Sequence, residues 1–164
     1  MKKFSILILV ILLTFVSCQH KPRYWTFEKD CSEVTEIKIV DLEQSGGDHN
    51  DYENYVVIKE LDIAFVEELY DDIEKIEMKE YGPTLDAPGG KCFMIVFSNG
   101  EFDLISYTEP KHFKYDYSGD KSSPFYGTLQ PFNSWLRCDK ESFYNLIDKY
   151  LNMSLDSLNS ESPN

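Results

Sequence analysis

The chain has 164 residues, with 16 Lys and Arg against 29 Asp and Glu, for a formal net charge of −13. So acidic a chain lacks the basic patch that phosphate-backbone binding needs, which excludes nucleic acid as the expected partner. It also gives no general electrostatic pull toward anionic lipid, and its length is that of one domain with a substantial core.

The chain opens Met1-Lys2-Lys3, and Phe4 to Val16 is then apolar apart from Ser5 and Thr14. This run of 13 residues falls short of the roughly 20 that cross about 30 Å of hydrocarbon. It matches the apolar segment of an export signal, with the lysines kept on the cytoplasmic side. It ends Phe15-Val16-Ser17-Cys18, with a small residue directly before the cysteine. The segment resembles the signal peptide of a bacterial lipoprotein. The resemblance implies cleavage before Cys18, a diacylglyceryl thioether on its sulfur, and often an acyl chain on the new N-terminus. Phe15 stands where the commonest pattern has Leu, but it is equally bulky and apolar. The competing readings are an uncleaved anchor and an ordinary Cys18. Two or more acyl chains hold a protein stably where one is marginal. The expected location is therefore extracytoplasmic, lipid-anchored to the cell membrane or the outer membrane. Gln19 follows Cys18 in place of Asp, so the inner-membrane retention signal of some Gram-negative lipoproteins is absent. Without residues 1–17 the chain keeps 147 residues, with 14 Lys and Arg against 29 acids, a net charge of −15.

The expected organisation is a signal over 1–17, a lipidated tether over 18–32, a single domain over 33–152 and a disordered tail over 153–164. The tether is polar except for Tyr24-Trp25 and Phe27. Thr35 to Val40 alternates at Ile37 and Ile39 and predicts a strand. Gln44 to Asp51 reads as a loop, and Tyr55 to Ile58 as a second, β-branched strand. Asp62 can cap a helix whose stripe is Val66, Leu69, Tyr70, Ile73 and Ile76. Its other face carries Glu67, Glu68, Asp71, Asp72 and Glu74. Gly82-Pro83 and Pro88-Gly89-Gly90 bracket a loop.

Cys92 to Phe97 and Phe102 to Tyr107 flank Ser98-Asn99-Gly100-Glu101. Asn-Gly predicts a two-residue type I′ turn. That turn pairs Phe97 with Phe102 and Ile95 with Leu104, and places Asp103 opposite Val96 on the face away from the helices. A third strand is expected at His112 to Tyr117, with Phe113, Tyr115 and Tyr117 on one face. Leu129 to Cys138 reads as a last strand that Pro131 interrupts or places on an edge. Asp139 can cap a final helix with the stripe Phe143, Leu146, Ile147, Tyr150 and Leu151.

The expected fold class is α+β, an antiparallel sheet of about five to six strands with two helices packed on one face. The region from Tyr55 to Leu151 resembles small, mostly uncharacterised bacterial lipoproteins in which an acidic helix precedes an Asn-Gly hairpin and a C-terminal helix. That resemblance implies no known activity.

Three cysteines remain after Cys18. Cys92 lies in an apolar strand and reads as a small buried hydrophobe, while Cys31 and Cys138 are the more plausible disulfide pair. No C-x-x-C occurs, so a zinc or thioredoxin-like reading has no support. Asp48, His49, Asn50, Asp51 and Glu53 crowd one loop, but without the EF-hand pattern. It is read as a polar loop, and no metal or cofactor is expected. Between Phe93 and Trp135 lie eleven aromatics in 43 residues, about a quarter against 15% for the chain. Tyr107, His112, Tyr115, Tyr117, Tyr126 and Trp135 are too many polar-tipped rings to bury without partners. They form the candidate ligand surface, with core and rim packing as the plainer reading. The acids Glu67, Glu68, Asp71, Asp72 and Glu74 form a candidate face for a protein partner. No G-x-S-x-G elbow or comparable nucleophile context occurs. The preferred expectation is a lipid-anchored, non-enzymatic binding or interaction protein. The alternatives are a periplasmic inhibitor or immunity-like protein, and a small envelope hydrolase using His112.

Overall fold

The computed structural model describes residues 22–42, 55–80 and 90–154. The expectations for Cys18 and the signal segment, for the acidic loop from Asp48 to Glu53, for the loop beginning Gly82-Pro83 and for the tail after Ser154 lie outside the described residues.

The described residues form nine strands. These are β1 (Arg23–Tyr24), β2 (Val34–Asp41), β3 (Val56–Leu61), β4 (Glu77–Glu80), β5 (Lys91–Phe97), β6 (Phe102–Ile105), β7 (Lys111–Asp116), β8 (Thr128–Asn133) and β9 (Leu136–Cys138). Two α-helices accompany them, α1 (Val66–Glu74) and α2 (Lys140–Asn152). One antiparallel sheet has the order β3-β2-β5-β6-β7-β8, and a small second one the order β1-β4-β9. The fold is α+β, with both helices on one face of the large sheet.

That face holds the main core. Ile37, Ile39, Phe93, Ile95 and Ile105 from the sheet meet Leu69, Tyr70, Ile73, Phe143, Ile147 and Tyr150 from the helices. Each of these apolar side chains contributes roughly 1.5–3 kcal/mol on leaving water. Val40, Cys92, Met94, Phe102, Leu104 and Phe113 form a second cluster on the opposite face. Strand alternation sends neighbouring residues to the two clusters, so β5 is buried on both sides.

Asp62 caps the first helical segment as its sequence predicts. Its carboxylate accepts the Ala64 N–H at 2.9 Å and starts a 3-10 turn, Ile63–Phe65, that runs into α1. Ile76 lies beyond the helix end, past Lys75. Asp139 caps α2 by accepting the Ser142 N–H at 2.8 Å. At the other end of α2, Lys59 Nζ donates to the carbonyls of Tyr150, Leu151 and Met153 at 2.8–2.9 Å. These helix-end carbonyls have no partner within the helix, so a cation there satisfies them and opposes the helix dipole.

The hairpin departs from its expected register by one residue. Ile95 pairs with Asp103 and Val96 with Phe102. The loop has three residues, Ser98 to Gly100, closed by the Gly100 N–H on Phe97 O and the Phe97 N–H on Glu101 O, both 2.9 Å. A type I′ turn needs positive φ at both Asn99 and Gly100, and here Gly100 alone adopts it, at 83°. The turn is thus a type I turn followed by a glycine bulge. Asn99 Oδ1 instead accepts the Glu101 N–H at 3.1 Å. A one-residue slip exchanges faces, so Asp103 enters the main core side with Ile95 and not the far face with Val96.

Three further expectations are corrected. The tether, read as 18–32, is part of the fold from Arg23 onward: β1 pairs with β4, and Trp25 is buried in the main core. The physical reason is the apolar area of Trp25 and Phe27, too large to leave in water beside an open core edge. Strand β4 went unread because only Met78 of its four residues points inward. The single strand expected from Leu129 to Cys138 is two strands in different sheets. Trp135, with φ of 50°, turns the chain between them. Pro131 does lie on an edge, since β8 ends the large sheet.

Candidate functional site

The six rings of the expected ligand surface do not converge. Tyr115, Tyr117 and Tyr126 form one chain, with ring centroids 6.4 and 5.6 Å apart. Trp135 sits at the break between β8 and β9. Tyr107 lies against Tyr144 of α2 at 5.6 Å. His112 is held elsewhere, beneath Trp25.

His112 and Asp103 are direct cross-strand partners on β7 and β6. Nδ1 of His112 lies 2.5 Å from Asp103 Oδ1. Trp25 stacks on the imidazole at 4.5 Å, and Nε2 faces Glu28 Oε1 at 3.7 Å. Glu28 also accepts a hydrogen bond from Lys114. That bond holds the Glu28 carboxyl below its usual range. Burial pushes the Asp103 carboxyl up, and the His112 hydrogen bond only partly offsets this. The segment from Trp25 to Lys29 is thereby strapped across β6 and β7. Phe27 stacks on Tyr70 at 3.6 Å, and Lys29 pairs with Glu101 at 3.2 Å. Both His112 nitrogens are directed at carboxylates and one ring face is covered. The cluster is suited to fastening the strap and leaves no nitrogen aimed at a substrate. Its one sequence signal was Trp25 and Phe27, apolar rings in an otherwise polar stretch.

The acidic face of α1 divides. Lys149 of α2 bonds Glu68 at 2.7 Å and Asp72 at 2.6 Å, and the Tyr150 hydroxyl donates to Asp72 at 3.0 Å. Glu68 and Asp72 therefore join the two helices. Glu67, Asp71 and Glu74 remain exposed, with Lys75 3.8 Å from Asp71.

Cys31, Cys92 and Cys138 are free thiols, which corrects the expected pairing of Cys31 with Cys138. Cys92 is fully buried, as its strand position predicts. Burial pushes the Cys138 thiol up to about 12 and raises Cys31 as well, so neither is poised as a thiolate nucleophile. Among the described residues no group of His, Cys, Asp and Glu is arranged to hold a metal ion. Among them, too, no helix is long and apolar enough to cross a membrane.

Two places remain open to a partner. One is the outer margin of β7 and β8. Tyr117 is 64% exposed and Phe125 63%, and Tyr115, Phe132 and Trp135 are also exposed. The other is a cavity of about 310 Å³ lined by Lys79, Tyr107, Arg137, Cys138, Asp139 and Lys140. Of the six rings singled out from sequence, Tyr107 alone lines it. No family model, curated protein or solved structure matches the chain.

Proposed function

We propose that the protein is a lipid-anchored, extracytoplasmic interaction domain without catalytic activity, which contacts a protein partner through the outer margin of β7 and β8. The observation that carries this reading is the exposed ring set Tyr115, Tyr117, Phe125, Phe132 and Trp135 along one sheet edge. Aromatic side chains are enriched in interface cores, and water-facing rings at this density mark interaction surfaces. Pro131 on β8 blunts that edge against simple strand addition, so side chains would carry recognition. The His112-based hydrolase reading has less support, because both imidazole nitrogens face carboxylates. The inhibitor reading keeps a partner but loses Glu68 and Asp72 from its acidic surface, since Lys149 holds both.

Anchoring and interaction are tested separately. Globomycin should leave an uncleaved precursor, and palmitate should label the protein through Cys18. An unshifted precursor or absent label defeats the anchoring. For the interaction, the full chain is cross-linked in its own envelope. Tyr117→Ser with Phe125→Ser should abolish the cross-linked species while the unfolding midpoint stays in place. Retention of that species in the double variant defeats the edge as the contact surface.

A further inference from the structure

The cavity at Tyr107 has a charge character opposite to that of the chain. Lys79 on β4 and Arg137 on β9 are direct cross-strand partners, so their side chains leave the small sheet on the same face. Met78 and Cys138, the adjacent pair, point the other way into the main core. Lys140, the first residue of α2, completes the set. Its ammonium lies 5.2 Å from the Tyr107 ring centroid and 5.8 Å from that of Tyr144. The two rings hold the cation by their quadrupoles. Among the described residues one acid lines the cavity, Asp139. Its carboxylate is engaged by the Ser142 N–H at 2.8 Å and hydroxyl at 3.0 Å. Three cations therefore surround a single committed carboxylate, in a chain with a net charge of −13.

We infer that this cavity binds a phosphate group. A surplus of two positive charges matches a phosphate dianion better than a carboxylate. The planar fork of Arg137 fits two phosphate oxygens, while the lysines act as adaptable point charges. A volume of about 310 Å³ accommodates the phosphate and a small substituent, which Tyr107 can flank. The surrounding acidic surface repels anions elsewhere, so the cavity is a local minimum for them.

Two sources share this chemistry, a lipid headgroup and a soluble phosphorylated molecule. The headgroup source gains from position. β1 belongs to the same small sheet as Lys79 and Arg137, and Cys18 lies five residues before Arg23. Five residues span at most about 18 Å. The headgroup arm rests on the anchoring proposed above, while the phosphate site itself does not.

The test is a nuclear magnetic resonance titration of the full chain in neutral detergent micelles, read at the amides of Lys79, Arg137, Cys138 and Lys140. The probes are inorganic phosphate, water-soluble dihexanoyl phosphatidylglycerol and acetate. Saturable shifts at these amides are expected with at least one phosphate probe, with acetate at least tenfold weaker. Lys79→Ala with Lys140→Ala should weaken binding at least tenfold, and Arg137→Lys should weaken it while keeping the charge. Lys75→Ala, on the end of α1, should bind normally. Both variant side chains at Lys79 and Lys140 are exposed, so the fold is expected to persist, which the unchanged spectrum outside the cavity verifies. Binding of the phosphatidylglycerol alone assigns a lipid headgroup, and binding of inorganic phosphate assigns a soluble source as well. No saturable shift with either phosphate probe, equal affinity for acetate, or undiminished binding in the variants overturns the assignment.

Discussion

His112 Nδ1 and Asp103 Oδ1 stand 2.5 Å apart across the β6–β7 pair, with Trp25 stacked over the imidazole. This contact joins three parts of the chain that are remote in sequence. It exists because the hairpin register turns Asp103 toward the helix side of the sheet. Asp103 is 2% exposed, and its Oδ2 has no hydrogen-bond partner. The carboxylate therefore depends on His112 for its stability in the core.

Asp103→Ala should destabilise the fold by about 3–5 kcal/mol, as expected when one partner of a buried pair is removed and the other is stranded. Asp103→Asn should cost less, because an amide oxygen still accepts from Nδ1. Urea unfolding of the two variants beside the parent measures the difference, and equal losses would argue that the carboxylate charge is what matters.

Acid should loosen the strap before it unfolds the core. Glu28 is held below its ordinary value of 4.5 by the Lys114 hydrogen bond. A lowered folded-state pKa contributes stability that is complete above the unfolded value and is lost as pH falls through the folded one. Asp103 has the opposite sign. Burial raises it above its ordinary 3.8, so its contribution is fully present below that value and declines as pH rises through the folded one. Lowering the pH below about 4.5 thus weakens the Glu28 clasp while relieving Asp103. Trp25 fluorescence, isolated by Trp135→Phe, should change at a higher pH than the far-ultraviolet helix signal. Glu28→Gln should remove that early step.

Lys59→Met keeps the aliphatic stem but leaves the carbonyls of Tyr150, Leu151 and Met153 without their donor. A loss of about 1–3 kcal/mol is expected from partly buried unsatisfied acceptors. Lys59→Arg should recover part of it. Denaturant midpoints at constant slope would establish the order parent, Arg, Met.

Gly100→Ala should cost about 1–2 kcal/mol, since φ is 83° and the added Cβ would lie 3.1 Å from the Tyr115 hydroxyl oxygen. Asn99→Asp should be nearly neutral, because its side-chain oxygen still accepts the Glu101 N–H. Thermal unfolding distinguishes this from a type I′ turn, in which position 99 would also resist a change to Ala strongly.

Periodicity made much of the fold legible from the residues alone. The stripe of Leu69, Tyr70 and Ile73 and that of Phe143, Ile147 and Tyr150 both reach the core as their spacing predicts. The caps Asp62 and Asp139 act where expected. These signals are local: each needs only the residues within a turn or two. The candidate site was legible in part. Tyr107 was named from its ring and polar tip, but its companions Lys79, Arg137 and Lys140 were not. They come from β4, β9 and α2, and the small sheet that brings them together has no sequence signature of its own.

The sequence by itself determined the acidic surface, the α+β class, the two helical stripes and the lipoprotein-like start. Tertiary structure decided that the supposed tether is a strap and that Asp103 faces inward. It also decided that three basic side chains share one cavity. The physical reason is one of range. A helix stripe or cap is set by neighbours a few residues apart. Strand register and the docking of Trp25 on His112 depend on which distant surfaces leave the least apolar area and the fewest unpaired polar groups in water.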